Sequence, residues 1–359
     1  MIHNISIIGL GLIGGSIAKA LRKADTDLFI QGFDFENVMN AAFTAKVIDK
    51  TIYQLDDALE SDLIIIALPV DLSLKYFRQL IPKLKDGQII ADVCSVKNSF
   101  KQIWDSSFSI GKYIGCHPMT GREKGGYANS DELLFENSIF VVTEDLSKDE
   151  VGNNFAEIIK YLGANILYIP AKQHDIIAAS VSHLPQLVSV ALVNTAALKT
   201  DNYNFLDLAA GGFRDMTRIA SSDFTIWESI INENQNEILI ALDKFKAEID
   251  TIKKDVQTNN FDSLHAKFIE ANKNRNEIPA NTKGFLAPLY DVFVFVKDEP
   301  GVLCKITTEL FKNKINIKDL ELLKIREGKG GTFRFSFSTE NESLLAIQVI
   351  TQAGFEIRH

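Results

Sequence analysis

A strand-like run at residues 5–8 leads directly into the sequence Gly9-Leu10-Gly11-Leu12-Ile13-Gly14 and then into a helical stretch. In such a turn Gly9 permits the tight bend, Gly11 lets a pyrophosphate approach the backbone, and Gly14 lets the helix pack on the strand. The free N–H groups at the helix N-terminus favour an anion, and Leu12 and Ile13 of the same turn are further candidates for cofactor binding. The turn therefore predicts a dinucleotide-binding βα unit.

Asp34 follows Gly14 by twenty residues and stands at the end of the second predicted strand. A carboxylate at this place accepts hydrogen bonds from the adenine ribose hydroxyls and repels a 2′-phosphate. We therefore expect the cofactor to be NAD and not NADP. The alternative is an ordinary βαβ turn that carries a surface aspartate.

Short apolar runs alternate with helical stretches up to about residue 169. The predicted strands are 4–8, 28–33, 63–68, 88–93, 113–116, 139–142 and 166–169. Several of them are continuous Ile, Leu and Val runs, as in a parallel sheet buried on both faces. The pattern predicts an α/β fold with a Rossmann-type doubly wound sheet over residues 1–170.

The strand signals end at Pro170, and helical stretches predict an all-helical middle domain over residues 171–280. Its apolar residues form one stripe along a helix: Ile238, Leu242, Phe245, Ile249, Ile252 and Val256. The stripe fits packing within the domain as well as a subunit interface. Because helical domains behind Rossmann domains often dimerise, a homodimer is the expected assembly.

A polar stretch with two prolines, residues 276–288, predicts a linker. The elements expected beyond it are strand 290–296, helix 302–312, strand 317–325, a turn at 328–331, strand 332–337, helix 343–353 and strand 355–358. This order predicts a C-terminal ferredoxin-like βαββαβ domain over residues 288–359.

The composition excludes several classes of protein. A formal net charge of -9 argues against a nucleic-acid-binding surface. The three cysteines form no CxxC pair, so we expect neither a metal site nor disulfides, and a cytoplasmic location. No signal peptide is visible, and runs such as 63–68 are far shorter than the roughly 20 residues that span a bilayer.

Two further strand ends carry polar residues, where a doubly wound sheet binds its ligands. One is Asp92-Val93-Cys94-Ser95-Val96-Lys97, and the other runs from Gly115 to Gly126 and contains His117-Pro118. A histidine after a strand is often only a turn residue. Here the proline fixes the backbone and the glycines allow close ligand approach, which favours a catalytic loop.

These segments together resemble the prephenate/arogenate dehydrogenase family. The resemblance is carried by the turn at 9–15, by 92–97, by 115–126 with Leu134-Phe135-Glu136-Asn137, by Ser182-His183-Leu184-Pro185 and by 211–220. It covers the first two predicted domains nearly end to end. The third, with Asp298-Glu299-Pro300-Gly301-Val302-Leu303, resembles an ACT domain, a regulatory module that commonly binds amino acids.

The resemblance implies NAD-dependent oxidative decarboxylation of prephenate to 4-hydroxyphenylpyruvate, CO2 and NADH, a step of tyrosine biosynthesis. Aromatisation of the ring drives this chemistry, so the protein mainly orients its substrate and handles one proton. An arogenate dehydrogenase is the alternative enzyme. A non-catalytic NAD-binding regulator that senses an amino acid is the alternative of another class.

The resemblance also assigns roles to three residues at the strand ends. His117 would accept the hydrogen bond and then the proton of the ring hydroxyl. Ser95 matches a serine beside the nicotinamide and the ring hydroxyl, and Glu123 matches a carboxylate near the active site. A purely structural loop role is the alternative for Ser95 and Glu123.

Prephenate carries two carboxylates, and four further residues are candidates for the substrate pocket. Arg218 would grip a carboxylate bidentately. Arg214 could share its helical face, although a structural salt bridge suits it better. Gln186 stands where many members have a second histidine, so this pocket position can donate a hydrogen bond but cannot become cationic. His183 is either part of the pocket or a satisfied core histidine.

For the ACT-like domain the resemblance implies an amino-acid effector. L-tyrosine, the end product of the implied pathway, is the expected inhibitor, and L-phenylalanine is the less favoured one. The alternative is that this domain only stabilises a dimer.

Overall fold

The computed structural model describes residues 1–24, 27–122, 124–199, 204–277, 289–326 and 330–358. They form two compact units, Met1–Phe261 and Asp262–His359. Residues 278–288, which hold most of the predicted linker, and residues 327–329, which hold part of a predicted turn, lie outside the described residues.

An eight-stranded sheet occupies the first part of the first unit. Its strands are β1 (Asn4–Ile8), β2 (Phe29–Phe33), β3 (Lys50–Thr51), β4 (Leu63–Ile66), β5 (Ile89–Asp92), β6 (Lys112–Pro118), β7 (Ile139–Val142) and β8 (Asn165–Tyr168). They lie in the order β3-β2-β1-β4-β5-β6-β7-β8. This order confirms the predicted Rossmann-type doubly wound sheet.

The sheet departs from the expected parallel arrangement at one pair of strands. Strand β7 runs antiparallel to β6, and His117 lies opposite Val141. A parallel neighbour needs a crossover connection, usually a helix, and the described residues between these two strands form only the short 3-10 turn Tyr127–Asn129. The expectation of a parallel sheet was therefore wrong at this edge.

Helices cover both faces of the sheet: α1 (Leu12–Lys23), α2 (Glu36–Thr44), α3 (Val70–Leu80), α4 (Asn98–Ser106) and α5 (Glu150–Tyr161). Strand side chains point alternately to the two faces. Ile5 and Ile7 accordingly lie in one core cluster, whereas Ile8 lies in the other, against Phe77 and Phe100. Burial on both faces explains the continuous apolar runs of the sequence.

The predicted helical middle region is confirmed. It contains α6 (Ala171–Ala178), a π-helical turn (Ala179–His183), α7 (Leu184–Ala196), α8 (Gly211–Thr217), a 3-10 turn (Arg218–Ser221), α9 (Phe224–Glu233), α10 (Gln235–Gln257) and α11 (Phe261–Glu277). The π-helical turn joins α6 to α7, so these two helices form one long helix in which His183 is the last residue of the π turn.

This long helix, Ala171–Ala196, has 26 residues, and its most apolar 18-residue stretch has a mean hydropathy of 1.8 and is 28% buried. By length and composition alone it could cross a membrane, a test that core helices of soluble proteins also pass. Four of its polar residues, His174, Asp175, His183 and Gln186, are nevertheless buried within the unit.

The second unit begins with nearly all of α11. It then contains the elements β9 (Tyr290–Val296), α12 (Val302–Lys312), β10 (Asp319–Arg326), β11 (Gly330–Phe337), α13 (Glu340–Gln352) and β12 (Glu356–Arg358). Its antiparallel sheet has the order β10-β11-β9-β12. Alternate residues of β9, namely Val292, Val294 and Val296, pack into the core. The predicted ferredoxin-like βαββαβ fold is confirmed.

Candidate active site

The glycine turn lies between β1 and α1, at the carboxyl end of the sheet. Gly9 has a φ of +97°, which favours glycine, and a Cβ atom there would lie 2.5 Å from the carbonyl oxygen of Ala67. A Cβ atom on Gly14 would lie 1.9 Å from the carbonyl oxygen of Gly9. Packing within the protein therefore requires both glycines.

Gly11 has a different reason to be a glycine. A Cβ atom there would meet no heavy atom of the protein within 4 Å. The residue caps α1, whose first turn includes Leu12 and Ile13 and carries no acidic side chain. Open space in front of a helix N-terminus fits a bound pyrophosphate, because the first N–H groups of a helix lack partners within the helix.

Asp34 lies beside this turn, directly after β2. One of its carboxylate oxygens accepts a hydrogen bond from the N–H of Leu10 at 2.6 Å, and the other accepts one from the N–H of Phe35 at 2.6 Å. The carboxylate thus helps to hold the glycine turn in shape. The predicted ribose-binding residue and the predicted phosphate-binding turn are in direct contact.

The end of β5 is built around a buried ion pair. Asp92 is fully buried, pairs with Lys97 and accepts a hydrogen bond from the hydroxyl of Tyr113 at 2.8 Å. Burial raises the pKa of Asp92, and the nearby Lys97 charge opposes that rise. The ion pair joins the two ends of the loop 92–97, which contains Ser95. Ser95 lies three residues beyond β5 and is half-buried.

His117 is the penultimate residue of β6, the strand next to β5. Its Nδ1 atom is 2.8 Å from Nε2 of His174. Burial, with smaller effects of His174, Lys97 and His183, lowers the pKa of His117 well below its usual value. The imidazole is therefore neutral near pH 7, the form that can accept a proton.

His183 lies in the core of the helical region. Its Nδ1 atom is 3.2 Å from Nδ2 of Asn234, and its ring packs edge-on against Trp227. Burial lowers the pKa of His183 to about 4, although the charge of Asp175 opposes the shift. These contacts make His183 a buried, hydrogen-bonded histidine of the core.

Three of the remaining predicted residues, Gln186, Arg214 and Arg218, lie in or close to the 3-10 turn Arg218–Ser221. Gln186 is buried and donates a hydrogen bond from Nε2 to the carbonyl oxygen of Ile219 at 2.9 Å, so it supports this turn. Arg218 and Arg214 are exposed, and Arg214 donates from Nε to the carbonyl oxygen of Ala209 at 3.2 Å. Glu123 lies outside the described residues.

Three family models match the chain in order. The nucleotide-binding domain of prephenate dehydrogenase matches residues 17–168, the dimerization domain of prephenate dehydrogenase matches residues 170–270, and the ACT domain matches residues 290–358. The prephenate dehydrogenase of Lactococcus lactis subsp. cremoris is 35% identical over 358 residues, which cover 97% of this chain and 98% of that protein. The chain belongs to the prephenate dehydrogenase family.

Two further prephenate dehydrogenases are similar to this chain over most of its length. The prephenate dehydrogenase of Bacillus subtilis is 32% identical, covering 98% of this chain and 96% of that protein. The crystal structure of prephenate dehydrogenase from Aquifex aeolicus, in complex with hydroxyphenyl propionate and NAD+, superposes with a TM-score of 0.69 at 26% identity. The superposition covers 77% of this chain and 99% of the Aquifex aeolicus chain.

The structure adds two residues to the candidate site that the sequence had not singled out. His174 contacts His117, and Nδ1 of His174 is 2.7 Å from Oδ1 of the neighbouring Asp175. Their signal in the sequence is a His-Asp pair at the start of the helix that follows Pro170. Their distance from His117 along the chain concealed the contact.

Proposed function

We propose that the protein catalyses the NAD-dependent oxidative decarboxylation of prephenate to 4-hydroxyphenylpyruvate, CO2 and NADH. The observation that carries the proposal is the position of His117 near the end of β6, beside the end of β5 that leads into the loop with Ser95. Both stand at the carboxyl edge of the sheet whose β1 end forms the glycine turn. This is the edge where a doubly wound sheet binds cofactor and substrate.

NAD, when bound, supplies the hydride acceptor. His117 takes the proton of the ring hydroxyl as the hydride leaves the same ring carbon, and such a base contributes about 10²–10⁴-fold in rate. Loss of the ring carboxylate as CO2 then makes the ring aromatic, and the phenolate oxygen takes the proton back from His117. No net proton is released. Ser95 would hydrogen-bond the same hydroxyl.

The substrate enters as a dianion, so cations must hold it against a net charge of -9. We propose that Arg218 binds a substrate carboxylate through its planar guanidinium. Gln186 would support Arg218 through the carbonyl of Ile219, and His183 would hold the helix from within the core. Arg214 would have a structural role through its hydrogen bond to the carbonyl oxygen of Ala209, and Glu123 would act near the active site, as the family resemblance implies.

Initial rates of NADH formation test the proposal. The full-length protein is assayed with NAD and either prephenate or arogenate, and we expect prephenate to give the higher kcat/KM. A preference for arogenate would make the protein an arogenate dehydrogenase. Binding of NAD without NADH formation from either compound would leave a non-catalytic regulator and would end the proposal.

We also propose that the protein is a homodimer through its helical region. Several residues of the stripe on α10 are exposed in a single chain, including Ile249 at 46% and Val256 at 59%. A second copy would cover these residues and the apolar helix Ala171–Ala196, so we expect a soluble, cytoplasmic protein.

Light scattering tests the assembly and should give the mass of a dimer for the original protein. Ile249→Asp should give a monomer. The control is Phe108→Asp, at an aromatic residue that follows α4 and is 84% exposed, and this variant should remain a dimer.

The second unit would bind an amino-acid effector, and we propose L-tyrosine. A pocket is lined by Val296, Asp298, Glu299, Leu303 and Phe333. The two carboxylates can bind an ammonium group, while Leu303 and Phe333 can contact an aromatic ring. An effector that is the pathway's end product would inhibit the enzyme.

A further inference from the structure

Behind His117 lies a chain of three side chains. Nδ1 of His117 is 2.8 Å from Nε2 of His174, and Nδ1 of His174 is 2.7 Å from Oδ1 of Asp175. The two imidazole rings meet at 71°, with their centroids 5.1 Å apart. His174 and Asp175 are 3% and 1% exposed, so the contacts are shielded from water.

The chemistry of these groups fixes the direction of each hydrogen bond. An ionised carboxylate only accepts, so Nδ1 of His174 must carry a hydrogen. In a neutral His174 the other nitrogen, Nε2, then holds a lone pair and accepts. His117 must therefore donate from Nδ1, which leaves the lone pair of His117 on Nε2.

Asp175 is held in place by the segment that follows Ser95. Its Oδ1 accepts a hydrogen bond from the N–H of Lys97, and its Oδ2 accepts one from the N–H of Asn98, both at 2.8 Å. Asn234 donates to the backbone carbonyl of Asp175 at 2.9 Å. The carboxylate cannot turn away from His174 without breaking bonds to two backbone amides.

We propose that His174 and Asp175 are positioning residues that hold His117 in the tautomer whose Nε2 accepts the substrate proton. The inference rests on the proposed function, in which His117 is the base. When His117 becomes positively charged, the same contacts keep its Nδ1–H directed at His174 and place the charge near Asp175. A histidine base oriented by a carboxylate is a general catalytic arrangement; here a second imidazole stands between them.

The tautomer can be measured without turnover. The full-length protein is labelled with 15N in its six histidines and saturated with NAD, at a pH above the ordinary histidine pKa of about 6.5. His117→Asn identifies the signals of His117. We expect His117 to carry its hydrogen on Nδ1. A hydrogen on Nε2 instead would overturn the proposal, whatever the substrate of the enzyme proves to be.

Three variants then connect the tautomer to the rate. His174→Phe keeps a ring but removes the acceptor, and Asp175→Asn removes the carboxylate that orients His174. We expect each to lower kcat about 10²-fold and to change the KM for NAD little, because the base would be partly in the wrong tautomer. His174→Gln, whose side-chain oxygen can accept from Nδ1 of His117, should recover part of the loss.

A matched control and the opposing outcomes complete the experiment. His265, exposed on α11, is changed to Phe and should affect neither kcat nor the tautomer of His117. If His174→Phe does not fold, the tautomer and rate in Asp175→Asn decide. An unchanged kcat and an unchanged tautomer in the folded variants would show that His174 and Asp175 serve packing alone.

Discussion

The carboxylate of Asp34 accepts a hydrogen bond from the backbone N–H of Leu10, with 2.6 Å between oxygen and nitrogen. A residue proposed to bind the cofactor ribose therefore also holds the turn proposed to bind its phosphates. Removal of the whole side chain would disturb both, so a test of cofactor choice needs a substitution that keeps the shape.

Asp34→Asn keeps one acceptor oxygen, which can serve the N–H of Leu10 while the bond from Phe35 is lost. It removes the negative charge that would repel a 2′-phosphate. We expect the ratio of kcat/KM values for NAD and NADP to move about tenfold toward NADP, equal to roughly 1.4 kcal/mol. Asp34→Ala should weaken both cofactors, because the turn also loosens. If Asp34→Asn lowered kcat/KM equally for the two cofactors, Asp34 would not contact the ribose.

Two glycines of the same turn should respond differently to alanine. The Cβ atom that Gly11→Ala introduces would meet no protein atom within 4 Å. The free energy of unfolding of this variant should therefore stay within about 0.5 kcal/mol of that of the original protein. The new methyl group would occupy cofactor space, and the Kd for NAD should rise at least about tenfold. Calorimetry and urea unfolding measure the two quantities.

Gly14→Ala is the matched control, because its Cβ would lie 1.9 Å from the carbonyl oxygen of Gly9. Overpacking of this kind costs about 1–3 kcal/mol or more, so this variant should lose stability. Unchanged NAD binding in Gly11→Ala would mean that the pyrophosphate does not approach this backbone.

His117→Asn removes the proposed base and preserves a polar side chain of similar size. We expect kcat with saturating prephenate and NAD to fall by about 10²–10⁴-fold, while the Kd for NAD changes little. Stopped-flow measurement of NADH formation gives the rate, and calorimetry gives the affinity. Full turnover in this variant would remove His117 from the chemistry.

Stability should depend on pH through His183. In the unfolded chain this side chain takes up a proton near pH 6.5, but in the folded protein only near pH 4. The unfolded state therefore binds more protons between these values, and stability falls as the pH falls through that window. From pH 7 to pH 5 the loss due to His183 is about 2 kcal/mol.

The variant His183→Asn retains an acceptor for Asn234 and cannot be protonated. Its free energy of unfolding, from urea titrations at both pH values, should drop less than that of the original protein. His117, whose pKa is also lowered, acts in the same direction in both proteins, and only the smallest cause of its shift, the His183 charge, differs between them. Equal losses in the two proteins would contradict a neutral, buried His183.

The effector proposal depends on the carboxylate of Asp298. Asp298→Asn should raise the concentration of L-tyrosine needed for half-inhibition about tenfold and leave the uninhibited rate unchanged. Asp262→Asn, at an exposed carboxylate on α11, is the control. If excess prephenate relieves the inhibition equally in all three proteins, tyrosine competes at the active site and the second unit is not its receptor.

The elements that the sequence predicted well have signals that depend on neighbouring residues alone. Continuous apolar runs at β4 and β5 reveal strands because both faces of the sheet are covered. Strand β3 has only two residues, Lys50 and Thr51, and no such run. The antiparallel direction of β7 could not be predicted either, because an apolar run has the same pattern in both directions.

The candidate site shows the same limit. The glycine turn and the His117 segment are local motifs and could be found in the sequence. The contact of His117 with His174 joins residues that are 57 positions apart, and the bond from Lys97 to Asp175 spans 78. Such pairs are brought together only by the packing of the helical region on the sheet, which no local pattern records.

The hydrogen bonds of Asp175 limit how this protein can be divided or recombined. They tie α6 to the N-terminus of α4 and to Asn234, the residue before α10. A chimera that joined this sheet to the helices of another dehydrogenase would keep a cofactor site and lose the surroundings of His117. Exchange of parts between such enzymes must therefore transfer one set of residues together with their backbones, although the chain order separates them: Lys97, His117, His174, Asp175 and Asn234.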